Sequence, residues 1–199
     1  MAKHKTTTAT IALRGLMIAA AFILSWVESQ IPAFFAVPGI KLGLTNLVVL
    51  VALYCLGEAD AIWMNVLRII LVGCTFGNMF SLIYSLAGGI LSGLTMILLK
   101  RFGKFHITAV SIAGGVMHNV GQILVAMAVL ETKSILYYLP VLWISGIAAG
   151  LVVGLIGKEI VLRLPKSLRT DKKNTAGNVA VDDRISTDRE EQDDETKEA

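Results

Sequence analysis

A histidine, an asparagine and a glutamine lie close together in an otherwise apolar run, Ser111-Ile-Ala-Gly-Gly-Val-Met-His-Asn-Val-Gly-Gln122, inside Ile107 to Leu130. Read as a helix, this stretch places Ser111, Gly115, His118 and Gln122 at i, i+4, i+7 and i+11 on one small and polar face. Ile112, Val116, Val120, Leu124 and Val125 occupy the other sides. With Asn119, these groups suit three kinds of work: orienting a polar ligand, relaying protons, or hydrogen bonding to a neighbouring helix. A second set suggests anion chemistry. Arg68 falls within an apolar run with Asn65 one turn away, and Lys41 lies in the glycine-rich Pro38-Gly-Ile-Lys-Leu-Gly-Leu-Thr-Asn46, which leads into a helix with a positive dipole end. Glu28 closes the first apolar run, and Ser81, Tyr84 and Ser85 open another. An ionisable side chain at membrane depth is a functional-site hypothesis. Plainer readings stand beside it: an internal Arg68–Glu28 ion pair, Lys41 as a headgroup anchor, and the His-Asn-Gln group as interhelical glue.

Other chemistries find no support in the sequence. His4 and His106 fall at terminal or cytoplasmic positions, far from His118 in the topology expected below, and no His/Cys/carboxylate set has metal-ligand spacing. No Ser-His-acid or Cys-His pattern supports a covalent nucleophile, and Pro38 to Asn46 lacks the nucleotide-loop pattern. We therefore expect no catalytic residue, metal, cofactor or nucleic-acid partner. Cys55 and Cys74 both read as reduced packing residues.

The elements that must position these residues are membrane helices. The chain of 199 residues is 55% hydrophobic with a mean hydropathy of +0.69, well above an ordinary soluble domain. The expected class is an all-α integral membrane protein whose first partner is the lipid bilayer. Six spans are expected: Ile11 to Val27, Leu42 to Leu56, Ala61 to Val72, Phe80 to Leu99, Ile107 to Leu130 and Tyr138 to Leu162. The second and third are short for a bilayer that needs about 20 residues. Gly57-Glu-Ala-Asp reads as a turn, and Gly73-Cys-Thr-Phe-Gly-Asn as a break. Lys3, Lys5, Lys100, Arg101, Lys104, Arg163, Lys166 and Arg169 then fall on one side, against Lys41 and Lys133 on the other, which places both termini in the cytoplasm. The acidic Glu58/Asp60 turn has no basic residue on this cytoplasmic side. In this topology the candidate site residues converge on the outer half, and Trp26, Tyr137, Tyr138 and Trp143 form an interfacial belt.

Residues 1–10 read as a cytoplasmic segment, 11–165 as the transmembrane domain and 166–199 as a cytoplasmic tail. Ten acidic against five basic residues between 170 and 199 give the tail the composition of disorder. Ser85-Leu-Ala-Gly-Gly-Ile-Leu-Ser92 parallels Ser111-Ile-Ala-Gly-Gly-Val-Met-His118, so the fourth and fifth spans are expected to pack through these glycines. Ala12, Gly15 and Ala19 form a small-residue stripe on the first span, expected to serve bundle packing ahead of docking a partner helix.

Glu28 with Ile31-Pro32, Pro38 to Asn46, Leu67-Arg68, Tyr84-Ser-Leu-Ala-Gly-Gly89, Ser111 to Gly115, His118-Asn119, Gly121-Gln122 and Tyr138-Leu-Pro140 resemble the bacterial Gx transporter family, also labelled heptaprenyl diphosphate synthase component I. The resemblance covers about Ala12 to Gly157. It implies a six-helix bundle of the bacterial cytoplasmic membrane, similar to the S components of energy-coupling-factor transporters. It also implies an outward pocket for a small anionic, isoprenoid or vitamin-like molecule, lined by Glu28, Lys41, Asn46, Arg68, Tyr84, Ser85, His118, Asn119 and Gln122. With no ATP-binding motif in the chain, uptake would require a partner ATPase or an ion gradient. The second label implies instead a non-catalytic membrane partner of a soluble prenyl synthase subunit. The chain's ordered core has no aspartate-rich motif to hold Mg²⁺ on a diphosphate. A membrane component of flavin- or quinone-linked electron transfer is a third class.

Overall fold

The computed structural model describes residues 8–30, 43–103 and 105–164. These form six α-helices: α1 Thr8–Gln30, α2 Leu44–Cys55, α3 Glu58–Thr75, α4 Met79–Phe102, α5 Ile107–Leu130 and α6 Leu139–Arg163. A 3-10 turn, Lys133–Tyr138, leads into α6. Lys41, His4, Lys104 and the acidic tail lie outside the described residues.

Short connections make the helices from α2 to α5 successively antiparallel, and side-chain pairs fix which ends meet. At one end Arg14 Nη2 of α1 meets Asp60 Oδ2 of α3 at 2.8 Å. At the same end Arg101 of α4 grips Glu58 with Nε and Nη2 at 3.0 and 2.6 Å. Glu58 and Asp60 were expected in a turn, yet they occupy the first turn of α3, where acidic charge complements the helix dipole. Gly57, at φ 113°, makes the reversal by itself. The Gly73 break also comes later than expected, since α3 runs on to Thr75. The missing Cβ at Gly73 lets Leu82 of α4 pack into the space a side chain would need.

α2 is the buried rod of the bundle. Every residue from Val48 to Cys55 is buried, as expected of a helix that is apolar all round, with α1, α3, α4 and α6 around it. Twelve residues span only about 18 Å, short of the roughly 30 Å hydrocarbon core, so its ends need caps from other helices. Both exist. Glu28 of α1 accepts from the Gly43 N–H at 2.6 Å and the Thr45 hydroxyl at 3.0 Å, at the N-terminus. Lys100 of α4 donates to the Leu53 carbonyl at 2.8 Å, at the C-terminus, and its ammonium lies over the Tyr54 ring. The amide one turn beyond Leu53, that of Gly57, bonds to Ala52 instead. A carboxylate at the positive end and an ammonium at the negative end both oppose the α2 dipole.

α4, α5 and α6 pack backbone to backbone. A Cβ at Gly88 would come within 2.8 Å of the His118 carbonyl oxygen, and one at Gly121 within 2.8 Å of the Ala87 oxygen. The Gly-Gly pairs of the two parallel motifs divide their work: Gly88 and Gly114 join α4 to α5, while Gly89 faces α3 and Gly115 faces α6. On α6 a stripe unanticipated from sequence, Gly146, Gly150, Gly154 and Gly157, meets Gly115, Ile112, Thr108 and Leu50 in turn. The Ala12, Gly15 and Ala19 stripe does not pack in the bundle: all three are exposed, and nothing lies within 4 Å of a Cβ at Gly15. α1 buries Met17, Ala21 and Ser25 instead. Cys55 is buried, but Cys74 is exposed rather than packed.

Four helical stretches are long and apolar enough to cross a membrane, in α1, α4, α5 and the 3-10 turn with α6. Their outward faces, with Leu16, Leu94, Leu124 and Ile144 more than half exposed, suit hydrocarbon. The described residues thus form a membrane helical bundle.

Candidate functional site

A cavity of about 190 Å³ opens between all six helices toward the end where α1 finishes and α2 begins. α1 contributes Ser25 and Glu28, α2 Thr45 and Asn46, and α3 Arg68 with Ile69 and Val72. α4 adds Ser81 and Ser85, α5 adds Ser111, Gly115, His118 and Asn119, and glycines of α6 close the wall. This volume exceeds what one water requires.

Arg68 is the deepest charge at the cavity. It is 8% exposed, and Nη2 donates to Asn65 Oδ1. Asn65 Nδ2 in turn donates to the Gly89 carbonyl at 3.0 Å, so a carboxamide fixed to α4 holds the guanidinium in place. Arg68 Nε is buried without a hydrogen-bond partner among the described residues. Glu28 acts on Arg68 through its charge, but its carboxylate is engaged with the α2 N-terminus. No direct ion pair joins the two among the described residues, so the simple internal salt bridge is absent.

Six of the nine candidates line the cavity: Glu28, Asn46, Arg68, Ser85, His118 and Asn119. Asn119 also ties α5 to α6, donating to the Leu142 carbonyl at 2.6 Å and contacting Ser145 Oγ at 3.4 Å. Tyr84 and Gln122 stand away from the cavity. Ser81 and Ser85 share the inward face of α4, which turns Tyr84 aside to stack on Phe80 with ring centroids 5.9 Å apart. Gln122 is 1% exposed and lies against Gly88, where a Cβ would be 2.9 Å from its Cγ. The ninth, Lys41, is outside the described residues. Ser25 and Thr45 join the cavity without having been singled out from sequence, and Ser81, expected with Tyr84 and Ser85 at the opening of the fourth span, lines it too. Ser111 and Gly115 follow from the α5 stripe, of which Gln122 alone turns away.

No metal-ligand group of three or more His, Cys, Asp or Glu occurs among the described residues. The wall is polar, and its one buried cation among the described residues, Arg68, is engaged there by the Asn65 amide.

The profile of heptaprenyl diphosphate synthase component I matches residues 17–160. The chain belongs to the heptaprenyl diphosphate synthase component I family. The matched region runs from the buried face of α1 almost to the end of α6, so it contains every described residue of the cavity wall. No curated protein and no solved structure matches the chain.

Proposed function

We propose that this family member is a substrate-binding or translocation subunit of the bacterial cytoplasmic membrane, taking up a small molecule through an anionic group that docks on Arg68. The observation that carries this reading is a buried guanidinium, held by Asn65 and lacking a direct carboxylate partner among the described residues, on the wall of a polar cavity. A buried charge without a counter-charge is strongly unfavourable, and an anionic ligand removes the penalty. His118, Asn119 and Ser85 orient the ligand through hydrogen bonds.

In this reading all six helices lie in the bilayer with both termini cytoplasmic, and the cavity faces outward as in an energy-coupling-factor S component. The pairing of Glu58 with Arg101 and Asp60 with Arg14 supports that orientation, because it puts the acidic turn among basic residues of the cytoplasmic side. Energy comes from a partner ATPase or an ion gradient, and the exposed Ala12, Gly15 and Ala19 face offers a partner helix close approach.

The family match favours a second reading, a non-catalytic membrane component beside a prenyl diphosphate synthase subunit. Native mass spectrometry of the detergent-purified wild type and of Arg68→Ala separates the two. A small molecule retained by the wild type and lost in the variant is the expected result. A wild type that carries no small molecule, with a soluble protein retained equally in both samples, contradicts the binding reading and supports the accessory one.

A further inference from the structure

Two opposite charges line the cavity without touching. Arg68 presents a guanidinium with five N–H donors; Asn65 takes one at Nη2, and buried Nε has no partner among the described residues. Glu28 presents a carboxylate with about four lone-pair directions, of which the Gly43 amide and the Thr45 hydroxyl use two. Among the described residues each charge is met at close range by neutral dipoles only, and the other charge acts from farther away. Burial makes that arrangement unfavourable for Arg68, while Glu28 is half-buried at the cavity wall.

A simple anion on Arg68 satisfies one side and is repelled by Glu28. A simple cation on Glu28 has the reverse problem. A molecule carrying both charges meets both groups, and its neutral sum matches a wall on which the described residues place one positive and one negative side chain. We propose that the cavity takes a zwitterion, with its anionic group on the Arg68 guanidinium and its ammonium group on the Glu28 carboxylate. This rests on the binding reading above and narrows its ligand class. The α2 cap is part of the device, since it holds Glu28 at the cavity wall while leaving lone pairs for the ligand. Ser81, Ser85 and Ser111 also line the cavity, and a hydroxyl can hydrogen bond to either end of such a molecule.

The test is the unfolding midpoint of the full-length protein in detergent, titrated at constant ionic strength with 4-aminobutyrate, butyrate, n-butylamine and inorganic phosphate. Glu28→Gln keeps an acceptor for the Gly43 amide and removes the charge. Arg68→Gln removes the cation, and Arg68→Lys replaces it should Arg68→Gln fail to fold. The expected result is a saturable rise with 4-aminobutyrate, half-saturating about ten- to a hundredfold higher in Glu28→Gln and in either Arg68 variant, together with tighter butyrate binding in Glu28→Gln than in wild type. Butyrate or phosphate acting on wild type at least as strongly as 4-aminobutyrate, or 4-aminobutyrate indifferent to Glu28→Gln, overturns the zwitterion and leaves anion binding standing. Responses to all four probes that are the same in wild type and both Arg68 variants overturn the zwitterion and the binding reading together.

Discussion

Asn65 makes two hydrogen bonds that do different jobs. Its Nδ2 fastens α3 to the Gly89 carbonyl of α4, and its Oδ1 receives Arg68 Nη2. Replacing it by leucine of similar size leaves the guanidinium without a hydrogen-bond partner among the described residues. We expect Asn65→Leu to lose about 1–3 kcal/mol in denaturant unfolding from detergent micelles, and to weaken ligand retention even though residue 65 does not line the cavity. Unchanged stability would mean that Arg68 is solvated by cavity water and does not depend on Asn65. The sequence made Arg68 and Asn65 legible as a pair, because residues three apart share a helix face. Their link to Gly89 was not legible, because it depends on which helix comes alongside. The same limit explains Tyr84 and Ser85. They are neighbours in sequence, but 100° of helix rotation sends one to the cavity and the other to a stack on Phe80.

At the scale of elements, α2 decides whether the bundle holds. Its twelve residues are few for a bilayer crossing, and its terminal groups are capped by α1 at the cavity wall and by α4 at the other end. Lys100 is 4% exposed and bonded to the Leu53 carbonyl, whereas Arg101, next to it in sequence, makes a solvent-exposed pair with Glu58. Lys100→Met should therefore lose about 1.5–3 kcal/mol in the same unfolding assay, while Arg101→Ala changes the midpoint little. Equal losses would remove the capping argument. The shortness of α2 and the span of α5 were readable from hydropathy alone. The caps were not, since Glu28 and Lys100 belong to other helices and nothing in their local pattern marks them as α2's partners. The packing glycines of α6, two of which line the cavity, did carry a signal, the recurrence of Gly every three or four positions from Gly146 to Gly157.

For the whole molecule, one end of the bundle is tied by Arg14–Asp60, Arg101–Glu58 and Lys100–Leu53, and the other opens into the polar cavity. Below the cavity, Leu50, Leu53, Tyr54, Val110 and Val161 form a floor that is at most 1% exposed. Among the described residues the bundle is thus tied at one end and hollowed at the other, and the proposed binding or translocation role needs that hollow to reach water. Every functional reading of Arg68 depends on this asymmetry, and cysteine labelling in sealed vesicles measures it. In a Cys74→Ser background, which leaves only buried Cys55, a membrane-impermeant thiosulfonate is applied to either face of vesicles carrying Ser85→Cys, Ser92→Cys or Arg101→Cys. Ser85→Cys should react only from the face opposite Arg101→Cys, and Ser92→Cys, at a position 1% exposed, from neither. Ser85→Cys that is unreactive from both faces, or reactive from the Arg101 face, would contradict an aqueous cavity open at the Glu28 end.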